Sequence, residues 1–196
     1  TVMASLYVTP ENQIQRLNAM LHQMKSWQQL DSANLTSRPN PESWSLIEVV
    51  EHLNKAYTIY VDKVDTAIAN CPEIQGAPKP FKARAWQKFV IEGQRPKNGK
   101  RPWKMKTLKR FQPLLDVKTI TAEDVKTIFE RFFELHEHLK TSILLARVKQ
   151  VKAHKFSSAI GPIVNFYLPE GFEFLLCHME RHYVQIEEVL ASISDN

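Results

Sequence analysis

Two histidines, His178 and His182, are spaced four residues apart in a segment whose apolar residues recur at helical intervals. Because residues i and i+4 leave the same face of a helix one turn apart, the two imidazoles could bind one metal ion. Apolar side chains fill one flank of this face, whereas Glu and Arg residues fill the other. Such pairs also arise by chance, so the alternative is one buried core histidine and one surface histidine.

Each of the other histidines could likewise be a metal ligand or a structural residue. His52 lies at the edge of the apolar stripe of an earlier predicted helix, where it could be a metal ligand or an interfacial histidine with one backbone hydrogen bond. His136 lies on an apolar face, as is typical of a core histidine. His22 and His138 are predicted to face solvent.

Four segments must position these side chains, and each has apolar residues at helical spacing: residues 10–30, 43–70, 121–148 and 169–193. We place the N-cap of the second segment at Ser43. The pattern predicts an all-α four-helix bundle. A chain of 196 residues suits a single domain spanning 1–196.

The segment between the second and third helices differs from the remainder of the chain. Residues 71–120 show no long period, although a short helix is predicted near 81–90. Thirteen basic and only two acidic residues give 79–118 a net charge of +11, whereas the rest of the chain carries −6. Its interleaved aromatic residues could bind nucleic acid, but no nucleic-acid-binding motif accompanies them. We expect a solvated connection that flanks the site and attracts anionic substrates. Residues 149–168 are predicted as a further connection.

The composition indicates the cellular compartment in which the protein is expected. The sequence contains no apolar run near the roughly 20 residues that a membrane span requires, so no membrane partner is expected. Residues 1–10 lack the basic start and apolar stretch of a signal peptide. Two cysteines, Cys71 and Cys177, do not form a disulfide framework, and the expected compartment is therefore the reducing cytoplasm.

Two separated motifs resemble elements of the DinB/YfiT-like superfamily. The first is Trp44-Ser45 followed by Glu51-His52-Leu53, and the second is His178-Met179-Glu180-Arg181-His182-Tyr183-Val184-Gln185-Ile186. The resemblance implies a DinB-type four-helix bundle with a long crossover insert between helices 2 and 3. It also implies that His52, His178 and His182 converge on one divalent metal ion. His136 and His154 match no ligand position of the family.

A site with three neutral imidazoles leaves open positions on the metal, as in catalytic sites. Zn or Ni is favoured, and Mn or Fe is also compatible with these ligands. Below about pH 6, protons should compete with the ion for the imidazoles. Glu48, one turn before His52, could orient that imidazole or act as a general base, but the sequence favours a solvated surface acid. No catalytic residue and no organic cofactor are identified.

The predicted function is therefore a metal-dependent enzyme that activates water or a thiol against a small molecule. Members that the chain resembles include hydrolases and thiol-dependent transferases and isomerases, so the reaction stays open. A low-molecular-weight thiol is one partner that this reading allows, and a homodimer is another. The alternatives are a non-catalytic metal-binding or ligand-binding bundle and a nucleic-acid-associated protein that uses residues 79–118.

Overall fold

The computed structural model describes residues 4–195 and is mainly helical. Its elements follow the chain in this order: β1 (Tyr7–Val8), α1 (Pro10–Gln28), α2 (Ser32–Thr36), α3 (Leu46–Asn70), β2 (Phe81–Lys82), α4 (Ala85–Gln94), α5 (Ala122–Ala146), β3 (Phe156–Ser158), β4 (Gly161–Phe166) and α6 (Leu168–Ser194). The four predicted long helices correspond to α1, α3, α5 and α6, which confirms the predicted four-helix bundle. No described helix combines the length and apolarity needed to cross a membrane.

Helix α3 begins two residues later than predicted. Its N-cap is Ser45 rather than Ser43, because a capping box forms with Glu48 three residues further on. The backbone amide of Ser45 donates to the Glu48 carboxylate at 3.0 Å, and the amide of Glu48 donates to the Ser45 hydroxyl at 3.4 Å. Two backbone amides at the start of the helix thereby gain partners.

The core is formed where α1 and α3 each pack against α5 and α6. Every long helix contributes a side chain that is almost fully shielded from solvent: Leu17, Ile47, Phe129 and Leu176. Burial of these apolar stripes stabilises the bundle, at about 1.5–3 kcal/mol for each large side chain.

Residues 149–168 are not the plain connection that was predicted, because they contain the antiparallel hairpin β3–β4. The hairpin places Phe156 against α6 at Gly171, where a Cβ atom would lie 2.2 Å from the ring. Only glycine therefore permits this close approach. The strands were missed because three to six residues are too few to establish a period.

The basic segment of residues 79–118, called the basic insert below, lies along the acidic side of α6. Three ion pairs join them: Arg84–Glu170 at 2.7 Å, Arg95–Glu173 at 2.9 Å and Arg101–Glu188 at 2.6 Å. Helix α4, the short helix predicted within the insert, also packs on α6. The opposite charges of the insert and of the remaining chain are thus partly neutralised within the molecule, and the predicted polar flank of α6 is largely covered.

Candidate metal centre

Three histidine side chains meet between α3 and α6. His52 extends from α3, whereas His178 and His182 leave one face of α6 at the predicted i, i+4 spacing. The Nε2 atom of His182 lies 3.0 Å from Nε2 of His52 and 3.2 Å from Nε2 of His178. Their possible ligand atoms all lie within 4.8 Å of one another. The structure therefore brings together the three histidines named from the sequence.

Hydrogen bonds orient two of these rings. Nδ1 of His52 lies 2.7 Å from the backbone carbonyl oxygen of Phe111, and Nδ1 of His182 lies 2.7 Å from Oε1 of Gln185. A backbone carbonyl oxygen and a side-chain amide oxygen accept hydrogen bonds and cannot donate them. Each Nδ1 therefore carries the proton, and each Nε2 presents a lone pair. The two lone pairs thus face each other across 3.0 Å.

Two lone pairs at this distance require a proton or a cation between them. Burial lowers the pKa of His52, and burial together with the neighbouring histidines lowers the pKa of His182. Burial, followed by the charges on His52 and Arg181, lowers the pKa of His178 to about 3. Protonation is therefore disfavoured near neutral pH, and the neutral donor set fits a divalent metal ion.

The cluster opens onto a cleft of about 680 Å³. One wall comes from the insert, with Arg101, Lys104 and Lys106, and Trp44 lies beside His52 with ring centroids 5.1 Å apart. This volume suits a small molecule. The prediction that the insert flanks the site is confirmed.

Among solved structures, the chain is similar to YfiT from Bacillus subtilis, described as a probable metal-dependent hydrolase with an unusual four-helix bundle topology. The two sequences are 16% identical, the match covers 94% of this chain and 87% of YfiT, and the TM-score is 0.56. The chain has the YfiT-type fold. This likeness agrees with the resemblance to the DinB/YfiT-like superfamily. No protein-family model and no curated protein matches the sequence.

Glu48 is not the solvated acid that the sequence favoured. Its residue is 1% exposed, and its carboxylate accepts two hydrogen bonds from Arg38, at 2.6 and 2.8 Å. Burial raises the pKa of Glu48, but the hydrogen bonds from Arg38 and Ser45 outweigh it and lower the pKa. Since the Nδ1 atom of His52 instead binds Phe111, Glu48 holds the start of α3 and does not orient the imidazole.

The other histidines lie outside the cluster. His136 is 2% exposed and its Nε2 donates to the carbonyl of Leu17 at 2.9 Å, which confirms a core histidine. His22 is exposed, as predicted. The prediction for His138 was wrong, because its ring is partly buried between the hydroxyl of Tyr57 at 2.5 Å and Asp65 at 2.7 Å.

Proposed function

We propose that this protein is a metal-dependent enzyme in which His52, His178 and His182 bind one divalent ion. The observation that carries the proposal is the 3.0 Å separation of two Nε2 lone pairs whose directions are fixed by Phe111 and Gln185. A cation removes the repulsion that this arrangement creates. The description of YfiT as a probable metal-dependent hydrolase is consistent with this chemistry.

A divalent ion held by three imidazoles supplies a Lewis acid that lowers the pKa of bound water or polarises a carbonyl. The residues of this chain supply its environment. Phe111 and Gln185 hold the two Nδ1–H groups, so the rings keep their direction while a substrate enters. The cleft limits that substrate to a small molecule, and the reaction that we propose is hydrolysis or transfer to a thiol.

Several finer features belong to the proposal. Zn or Ni is the ion that we propose, and Mn or Fe is a further candidate. Imidazole ligands are compatible with all of these ions. A low-molecular-weight thiol co-substrate, a cytoplasmic location and a homodimer are also proposed. We do not propose nucleic-acid binding, because three arginines of the insert, Arg84, Arg95 and Arg101, already form ion pairs with α6.

The test begins with elemental analysis of the purified protein. The metal-restored protein is then screened for hydrolysis of esters and amides and for thiol transfer. A turnover that depends on metal and is lost in His178→Ala would support the enzyme. Binding of a stoichiometric metal without any turnover would favour the non-catalytic metal-binding bundle, and absence of metal binding would remove the proposal.

A further inference from the structure

A charged side chain, that of Arg181, lies beside the neutral histidine cluster and forms no ion pair among the described residues. Arg181 lines the cleft between His178 and His182 in sequence and is only 6% exposed. Its Nη2 donates to the backbone carbonyl of Trp103 at 2.6 Å. Within residues 4–195, its buried Nη1 has no hydrogen-bond partner, and no carboxylate lies within ion-pair distance of the guanidinium.

This arrangement is costly for a structural arginine. A buried cation is normally paired with a carboxylate, and a buried donor without a partner loses its hydrogen bonds to water without replacement. The other arginines that pack on α6 follow the rule: Arg16, Arg84, Arg95 and Arg101 each contact a glutamate. Arg181 therefore differs from them in having an unused capacity for an anion.

The partner that now holds Arg181 can be replaced. Trp103 has φ of 59°, a left-handed conformation that a non-glycine residue adopts at a cost, and its side chain is 75% exposed. A carboxylate or phosphate oxygen is a stronger acceptor for a guanidinium than a neutral carbonyl. An anion can thus displace the Trp103 carbonyl and also take up the unused Nη1 donor.

The surrounding charge favours the same ligand. Lys104 and Lys106 line the cleft on the side of the insert. Burial and the charge of Arg101, which is paired with Glu188, lower the pKa of Arg181, whereas Glu188 raises it. Among the described residues that line the cleft, Glu42 is the sole acidic one. Lys104, Lys106 and Arg181 therefore give the cleft a cationic wall that faces three neutral imidazoles.

We propose that Arg181 binds an oxyanion of the substrate, so that the substrate class is a small molecule bearing a carboxylate or phosphate group. The guanidinium holds this anionic end while the reacting group faces the histidine cluster. The inference rests on the proposed function, because it takes the cleft as the substrate site. Arg181 acts through binding and orientation, with the bidentate geometry that suits both kinds of oxyanion.

The experiment measures binding of inorganic phosphate and of benzoate by calorimetry, at constant ionic strength, to chelator-treated and metal-restored protein. Wild type is compared with Arg181→Gln, Arg181→Lys and the matched control Arg131→Gln, an exposed arginine on α5. Loss of charge-assisted hydrogen bonds should weaken binding about ten- to a hundred-fold in Arg181→Gln, with Arg181→Lys intermediate and Arg131→Gln unchanged. Preference for one probe separates the two kinds of oxyanion.

Unchanged affinity in Arg181→Gln, or an equal loss in Arg131→Gln, would overturn the inference. So would anion binding that requires the metal and disappears in His52→Ala, because the ion alone would then hold the anion. Conversely, if the protein binds no metal but binds phosphate through Arg181, the proposed function is contradicted while the anion site at Arg181 is supported.

If Arg181→Gln does not fold, a fluorescence measurement on the wild type and Trp103→Phe tests the same inference. Displacement of the carbonyl of Trp103 should change indole emission when phosphate is added to the wild type. The change should be absent in Trp103→Phe, which retains the other tryptophans. Saturating phosphate without any change in wild-type emission would count against the inference.

Discussion

The imidazole of His52 donates a 2.7 Å hydrogen bond to the backbone carbonyl of Phe111. This contact joins α3 to the end of the basic insert, 59 residues further along the chain. The insert thus does more than add charge near the cleft, because it fixes the tautomer of a proposed metal ligand. Its removal would leave the ring free to rotate and the lone pair without a defined direction.

Replacement of His52 by alanine should reduce the metal content from about one ion per chain to a small fraction of that value. The helices should persist, because their apolar core does not involve the ion. Metal added at 100 times its Kd should stabilise the wild type by about 2.7 kcal/mol and His52→Ala far less. Elemental analysis and thermal melting measure both effects. The matched control is His22→Ala, and equal metal content in His52→Ala and wild type would refute a three-histidine site.

Metal retention should extend to lower pH than ordinary histidines allow. Burial lowers the pKa of His52, His178 and His182, with His178 at about 3, so the rings stay neutral below their usual range. We expect substantial retention at pH 6 and loss only in more acidic buffer, which moves the expected release from about pH 6 downward. Dialysis between pH 4 and 8 followed by metal analysis provides the measurement. Half-release at pH 6 or above would contradict the shift.

Glu173 should make stability depend on acid. Burial raises the pKa of its carboxyl, but Arg16 at 2.6 Å and Arg95 at 2.9 Å outweigh it and lower the pKa. A lowered folded pKa gives a contribution that is complete above about pH 4.5 and is lost as the pH falls through the folded value. Glu173→Gln should cost about 3 kcal/mol at pH 7, since two arginines lose a buried partner.

Urea unfolding at pH 7 and at pH 3 checks this expectation. The difference between wild type and Glu173→Gln should shrink at the lower pH. The exposed Glu187 on the same helix provides a control, and Glu187→Gln should stay within about 0.5 kcal/mol of wild type. A pH-independent difference would argue against the ion pairs as its source.

Gly171→Ala should destabilise the bundle by about 1–3 kcal/mol. Alanine favours a helix intrinsically, but its Cβ would lie 2.2 Å from the ring of Phe156, which is buried and cannot move freely. Combination with Phe156→Leu should recover part of the loss. By contrast, Gly93→Ala in α4 meets nothing within 4 Å and should stabilise by up to about 1 kcal/mol. Chemical denaturation of Gly171→Ala, Phe156→Leu and their combination measures the coupling, and Gly93→Ala is the control.

The sequence by itself determined the helices and the paired ligands. Long apolar stripes at helical spacing specify where α5 and α6 lie, and Thr121 caps α5 with Asp124 three residues later. These signals are local, since the interacting groups lie within one or two turns. The separation of His178 and His182 follows from the same geometry, and the resemblance of two motifs linked them to His52.

Tertiary structure alone decided what completes the site. Phe111 and Trp103 act through backbone carbonyls, which carry no signature of residue type. Arg38, in the irregular segment before α3, pairs with Glu48 ten residues further along the chain. Phe156 reaches Gly171 only after a short hairpin folds back. Such contacts depend on how an insert without a period is laid over α6. Their energy comes from burial and hydrogen bonds between distant segments, which no local spacing encodes.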